Sequence, residues 1–328
     1  MPEKHRHRWL VRYRHEVALG VGYLLLLVWL AVWRPAFFQP AQLQAVLVSA
    51  APMLVVCVGM TLVILARQID IAVGSLFSVC GVAVGLLARG GWPMPLAGLA
   101  AVGLGTAVGA FQGWLVAYVG LPAIVVTLAM MVILREGLRW WRQGEFVRDL
   151  PTDFQWFGFS QEQGQLALVA IALGCFVLVA CGLRWLAAGR AVYATGGDPH
   201  AAFLAGMRPR RVTLAVFSLL GGLTGLAAVL HTVRFAMVDP AAGQGLELQA
   251  IAAVVLGGVA ISGGRGTLVG PLLGVFLLAT LKPALVFLGA AAHWDKALQG
   301  AIILAAVAAS RLQTSHAAAA TPARGRQP

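Results

Sequence analysis

Acidic residues are scarce in this chain: 12 Asp and Glu stand against 24 Lys and Arg, and charged side chains make up only 11% of its 328 residues. A soluble domain of that size needs far more polar surface, so a soluble enzyme is excluded. Cysteine is also rare. Cys57, Cys80, Cys175 and Cys181 form no Cys-x-x-Cys pair and sit in apolar runs, which excludes a disulfide framework or zinc site and leaves them as small core residues. There is no Gly-x-x-x-x-Gly-Lys-Ser/Thr loop, no His-Glu-x-x-His and no Gly-x-Ser-x-Gly elbow. The chain therefore offers no catalytic set, metal site or cofactor site, and if it uses energy from ATP, another subunit binds the nucleotide. The formal charge of +12 would suggest nucleic acid in a soluble protein. Here it reads as cations flanking membrane spans, and no nucleic-acid partner is expected.

What the chain has in abundance is apolar runs, each near the ~20 residues that a helix needs to cross a bilayer. They predict an all-α polytopic membrane protein with about ten transmembrane helices. The spans are read at 17–33, 43–66, 76–88 (extended by 71–75), 95–119, 121–140, 166–186, 212–233, 248–262, 268–289 and 298–309. Residues 1–16 form a basic tail with no convincing cleavage site after it, and 313–328 form an Ala-, Pro- and Arg-containing tail expected to be disordered. Residues 17–312 are the transmembrane domain between them. The strongest basic clusters lie in the first tail and at 184–211, so the positive-inside rule puts both termini and the 188–211 loop in the cytoplasm and the 141–165 loop outside. Spans two to five and seven to ten then run in opposite senses, a topology compatible with an inverted repeat.

The most soluble-looking stretch is Gly189 to Met207. Asp198 has the chemistry of an N-cap, Pro199 falls at the first helical position, and His200 to Ala205 give under two turns before a stop at Gly206. So short a helix is marginal alone. Phe203, Leu204 and Met207 offer apolar surface, either to a partner or to the protein's own body. Elsewhere, Asp70 is an acid at the edge of a span, readable as a hinge or path wall, or as a helix cap or partner of Arg67. Gln112, Thr127, Glu136, His231, Gln249 and Gln299 join helices or line a path. The glycines from Gly257 to Gly266 follow no strand and predict a tight turn rather than a phosphate cradle. Trp140, Trp141 and Trp156 suit an interfacial belt. Asp70, Ser75, Gln112 and Gln249 are the candidate path or hinge residues. The path they suggest is polar but uncharged, as suits a neutral solute.

Three ordered blocks carry a family resemblance. They are Gly59 to Ser75, with Arg67-Gln68-Ile69-Asp70-Ile71-Ala72-Val73-Gly74-Ser75 at its end; Tyr193 to Ala202 with Gly206; and Ala252 to Gly258 with Gly263-Gly264-Arg265-Gly266-Thr267. Together they resemble the permeases of sugar-type ABC importers, which work with ribose-, xylose-, rhamnose- or autoinducer-2-type binding proteins. Gln68 stands where the family has glycine, Ala72 where it has serine, and Asp198 and His200 where Asn and Glu are common. The resemblance implies a permease in the bacterial inner membrane, paired with a second copy or a paralogue. It implies an ABC ATPase subunit that uses ATP and magnesium, and an extracytoplasmic sugar-binding protein. It also implies that Asp198, Pro199, His200, Ala201, Ala202, Phe203 and Gly206 form the ATPase-coupling helix. The alternative from another class is an ion-coupled secondary transporter, for which Asp70, Glu136 and His231 are the available ionisable groups.

The predicted topology is open to direct labelling. Single cysteines at Gln143 or Gln161, in a background lacking the native four, are expected to react with an impermeant thiol reagent added to intact cells; labelling only after lysis overturns the orientation.

Overall fold

The computed structural model describes residues 14–287 and 300–301. The basic tail before residue 14, most of the tenth span expected at 298–309, and the tail at 313–328 lie outside the described residues. Within them the chain forms eleven α-helices: α1 Arg14–Trp33, α2 Pro40–Leu65, α3 Val73–Arg89, α4 Met94–Trp114, α5 Ala123–Arg142, α6 Gln161–Trp185, α7 Ala187–Gly197, α8 Pro199–Leu204, α9 Pro209–Thr232, α10 Leu246–Leu256 and α11 Val269–Phe287. A wider π-helical turn, Leu115–Val119, prolongs α4, which stops at the left-handed Gly120. Proline opens α2, α4, α8 and α9 at the first turn, where its missing N–H costs nothing.

Six helices are long and apolar enough to cross a membrane: α1, α2, α4 with its extension, α6, α9 and α11. The others read as spans from sequence differ for physical reasons. α5 has the length, but its last two turns carry Arg135, Glu136, Arg139 and Arg142. α3 and α10 are short, reaching only ~25 and ~16 Å at 1.5 Å per residue. The eighth span, expected at 248–262, ends as a helix at Leu256, where Gly257 and the left-handed Gly258 break the ladder.

The helices alternate in direction, and the loops meet at two ends. At one end the Gly264 N–H donates to the Leu65 carbonyl at 2.9 Å, and Thr267 Oγ1 donates to Glu16 Oε1 at 2.7 Å. At the other, Val147 and Val238 exchange both backbone bonds at 3.0 Å, and the Trp156 N–H donates to the Val233 carbonyl at 2.8 Å. The 141–165 and 184–211 segments thus fall at opposite ends.

α2 runs through the centre and is buried for most of its length, whereas α1 and α6 expose most of theirs. Their exposed side chains, such as Leu25, Val32, Leu178 and Trp185, are the apolar kind that lipid solvates. Between helices in lipid, packing rather than water exclusion supplies the attraction, so small residues that admit close backbones are favoured. α4 and α9 show this plainly. Gly105, Gly109 and Gly113 recur every fourth residue on α4 and face Gly221, Phe217 and Leu214 of α9. A Cβ on Gly105 would overlap the Gly221 carbonyl, and one on Gly221 would overlap the Gly105 carbonyl. The two backbones touch at this point.

Gly221→Val is therefore expected to force α4 and α9 apart. Overpacking costs ~1–3 kcal/mol and more where backbone is the obstacle, so the detergent-solubilised protein should melt at a clearly lower temperature than wild type. An unchanged melting curve would contradict the packing.

Candidate functional site

The site lies where two interrupted helices meet. α2 stops at Leu65, residues 66–72 intervene, and α3 begins at Val73; α9 stops at Thr232, residues 233–245 intervene, and α10 begins at Leu246. Both interruptions contain the pattern Asp-x-Ala-x-Gly: Asp70-Ile71-Ala72-Val73-Gly74 and Asp239-Pro240-Ala241-Ala242-Gly243. The two aspartates do the same work. Asp70 Oδ1 accepts the Ala72 N–H and Asp239 Oδ1 accepts the Ala241 N–H, each at 2.7 Å, closing an Asx turn. The glycines that follow cross each other. A Cβ on Gly74 would overlap the Gly243 carbonyl, and a Cβ on Gly243 would overlap the Gly74 carbonyl. Ser78 Oγ accepts the Gly243 N–H at 3.0 Å and fixes the crossing.

This reciprocity is the geometry of a local two-fold axis. α3 leaves the crossing toward one end of the molecule and α10 toward the other. Short, interrupted helices at corresponding places in two halves are how membrane transporters build a site in mid-membrane, with the positive helix starts directed at it.

Beside the crossing, Glu247 in the first turn of α10 pairs with Arg135 of α5, with Arg135 Nη2 2.9 Å from Glu247 Oε1. The Glu247 side chain is only 7% exposed and that of Arg135 32%. Gly74 must lack a side chain here also, because a Cβ would overlap Glu247 Oε2. Arg135, but not Glu247, borders a cavity of about 350 Å³ lined also by Ser75, Ser78, Glu136, Arg139, Pro240, Ala241 and Gln244. Ser75 Oγ and Glu247 Oε2 are buried with no hydrogen-bond partner. Polar groups so placed are unusual and call for a reason.

The residues singled out from sequence separate at this point. Ser75 lines the cavity. Asp70 is buried one turn before it, closing its Asx turn rather than pairing with Arg67; the ion pairs among the described residues are Arg135–Glu247, Arg139–Glu136 and Arg142–Glu145. Gln112 is wholly buried on α4, its amide without a partner, and does not line the cavity. Gln249 is half-buried on α10, also off the cavity. Glu136 borders the cavity 3.7 Å from Arg139. His231 stands apart, its ring 5.4 Å from that of Phe77 and 5.1 Å from that of Phe235. Sequence reasoning passed over Arg135 and Glu247. Two signals could have found them: an acid directly inside an apolar run, and the repeated Asp-x-Ala-x-Gly. The cavity lining is polar and carries Arg135, Glu136 and Arg139.

At the Leu65 end, the 187–204 segment forms a second feature. Asp198 Oδ1 accepts the N–H of His200 at 2.8 Å and of Ala201 at 3.1 Å. The Ala201 and then the His200 N–H hold its carboxyl below the usual range, so the cap stays charged. α8 buries Ala202 and leaves Phe203 and Leu204 exposed at 65% and 73%, ending before the left-handed Gly206. Its neighbour α7 is seated firmly. A Cβ on Gly196 would overlap the Leu65 carbonyl, and Tyr193 Oη donates to the Gly266 carbonyl at 2.9 Å.

Comparison with known proteins places this geometry. Residues 42–307 match the family described as the permease component of branched-chain amino acid transport systems. The autoinducer 2 import system permease protein LsrC of Salmonella typhi is 34% identical over 299 residues, 90% of this chain and 85% of the relative. The protein of that name from Salmonella choleraesuis strain SC-B67 is 37% identical over 267 residues, 80% and 76% of the two chains. That from Escherichia coli O157:H7 is 32% identical over 300 residues, 90% and 86%. No solved structure matches the chain.

The role of Asp70 can be separated from its charge. Asp70→Asn keeps an acceptor for the Ala72 N–H and is expected to fold like wild type. Asp70→Ala leaves that N–H unmatched in the interior, a loss of ~1–3 kcal/mol, and should lower the yield of monodisperse protein. Equal loss in both variants, read by size exclusion and thermal melting, would show that the charge itself is required.

Proposed function

We propose that this chain, which belongs to the family of permease components of branched-chain amino acid transport systems, carries autoinducer-2 or a similar neutral, sugar-like solute inward as the membrane subunit of a binding-protein-dependent ABC importer. The observation that carries the substrate class is the alignment with relatives named for autoinducer-2 import over 90% of this chain. The family match alone would leave amino acids and sugars equally open. As a permease component the chain is not itself catalytic. Hydrolysis of ATP, with magnesium, belongs to an ATPase partner; the solute arrives from an outer-side binding protein; and a second permease copy or a paralogue completes the pair.

In this reading the Leu65 end is cytoplasmic and α8 is the coupling helix. Asp198, Pro199, His200, Ala201, Ala202, Phe203 and Gly206 present a capped single turn whose apolar tip, Phe203 and Leu204, docks on the ATPase. α7 rests on the end of α2 and on the Gly263-Gly264 turn between α10 and α11. A push on α8 therefore reaches both sides of the crossing at Gly74 and Gly243. Rigid-body movement about that crossing would open the cavity to one side and then to the other. The ion-coupled alternative draws no support from Asp70, Glu136 and His231, which stand in three different settings: an Asx turn, a surface-reaching pair with Arg139, and an aromatic cluster.

The test is reconstitution in proteoliposomes with the ATPase and binding protein encoded beside it. Uptake of autoinducer-2 should require ATP; uptake by this chain alone, driven by a proton gradient, would favour the secondary transporter. The double variant Asp198→Ala with Pro199→Ala should insert normally but recover several-fold less ATPase on co-purification. Undiminished recovery would remove α8 from the contact.

A further inference from the structure

We propose that Arg67, held in a left-handed turn beside α8, is a second anchor for the ATPase partner, its guanidinium pairing with a carboxylate at the rim of the groove that receives Phe203 and Leu204. The inference rests on the permease reading, which makes the Leu65 end cytoplasmic, and adds to it the charge of the surface that the partner presents.

Three observations converge on it. The first is backbone strain. Beyond Leu65, the last residue of α2, the Arg67 N–H donates to the Ile64 carbonyl at 2.9 Å and the Gln68 N–H to the Val63 carbonyl at 3.0 Å. This is the Schellman close of a helix, whose left-handed position belongs by preference to glycine. Arg67 fills it at φ 64°, against a steric cost that glycine does not incur. An arginine kept there points to a task for its side chain.

The second is place. A Cβ on Gly263 would lie 2.7 Å from the Arg67 Cβ and 2.7 Å from the Gly196 carbonyl oxygen. Arg67 thus sits where the end of α2, the end of α7 and the Gly263-Gly264 turn meet, next to the start of α8. After the Ala201 and His200 N–H groups, Arg67 is among the charges that hold the Asp198 carboxyl below the usual range. Yet Arg67 is exposed, and its guanidinium makes no hydrogen bond or ion pair among the described residues.

The third is charge. Arg190, Arg208, Arg210, Arg211 and Arg265 are also exposed at this end. The exposed carboxylate there among the described residues is Asp198, already spent on the His200 and Ala201 N–H groups. An apolar tip, Phe203 and Leu204, therefore stands among arginines. Apolar anchors with arginine beside them are the pattern of a protein interface, and the planar fork of arginine suits carboxylates. Lipid phosphate attracts the same cations. α2, however, runs buried through the centre of the molecule, so Arg67 emerges mid-face and away from the lipid-bordered edge.

The experiment measures binding of the ATPase encoded beside this chain to the permease in nanodiscs, made of phosphatidylcholine alone or with phosphatidylglycerol. Arg67→Gly removes the side chain and suits the turn, so it is expected to melt at or above the wild-type temperature. It should nevertheless bind the ATPase about tenfold more weakly at low salt in both lipids, the value one charge-assisted hydrogen bond implies. Arg67→Lys keeps the charge and should retain most of the binding. The gap between wild type and Arg67→Gly should narrow at high salt, where an exposed ion pair is screened. Equal binding by wild type and Arg67→Gly in both lipids overturns the proposal. A loss seen only with phosphatidylglycerol overturns it as well, and assigns the guanidinium to lipid headgroups. Melting of Arg67→Gly well below wild type makes Arg67 a structural brace and overturns it too. Absence of ATPase binding by the wild-type permease is a different failure: it removes the permease reading, and the anchor falls with it.

Discussion

The constraint on which this structure depends is that a helix broken inside an apolar medium must find partners for the backbone groups it frees, since no solvent is there to take them. Two helices are broken here, after Leu65 and after Thr232. The same device repairs both. An aspartate two residues upstream accepts the loose N–H, and a glycine lets the restarted chain lie against its counterpart. Once that crossing is in place, α3 and α10 must begin deep in the molecule, and their starts must share a small polar volume. The cavity, the buried ion pair and the shortness of both helices follow from one solution to one problem.

The Arg135–Glu247 pair is costly by itself. Withdrawing two charges from water is repaid by their attraction only when geometry is good and the remaining lone pairs are matched. Its geometry is good at 2.9 Å, but one carboxylate oxygen has nothing to bond. A pair kept purely for stability would be better served by apolar side chains of the same volume.

Much of the fold was legible because membrane helices announce themselves by length and apolarity, and loops by charge. The capped turn at Asp198-Pro199 was legible too, since an N-cap and a first-turn proline are local chemistry that tertiary packing has no reason to override. The site was far less so. Asp70 stood out as an acid near a span, yet its matching residue, Asp239, sat in what looked like an ordinary connecting loop. Glu247 was hidden because an apolar run was counted from Leu248, one residue too late to include it. Gln112 and Gln249 looked like path residues on polarity alone, but a helix has several faces, and sequence does not say which one meets the cavity. The left-handed position in the turn after α2 is Arg67, at φ 64°, and not Gln68, so the residue at 68 needs none of glycine's conformational freedom.

Close packing also distributes the motion that the site requires. α4 and α9 belong to different halves of the chain, yet they meet glycine to glycine and have no slack in which to slide. They form a frame. α7 touches α9 of this frame as well as the end of α2 and the turn between α10 and α11, which are joined at the Leu65 carbonyl. The junction therefore ties the end of one broken helix, α2, to the frame through α7. α2 leads through Asp70 to Ser75, and the turn leads back through α10 to Glu247. Both segments thus lead from one junction to buried polar atoms that lack partners, Ser75 Oγ and Glu247 Oε2.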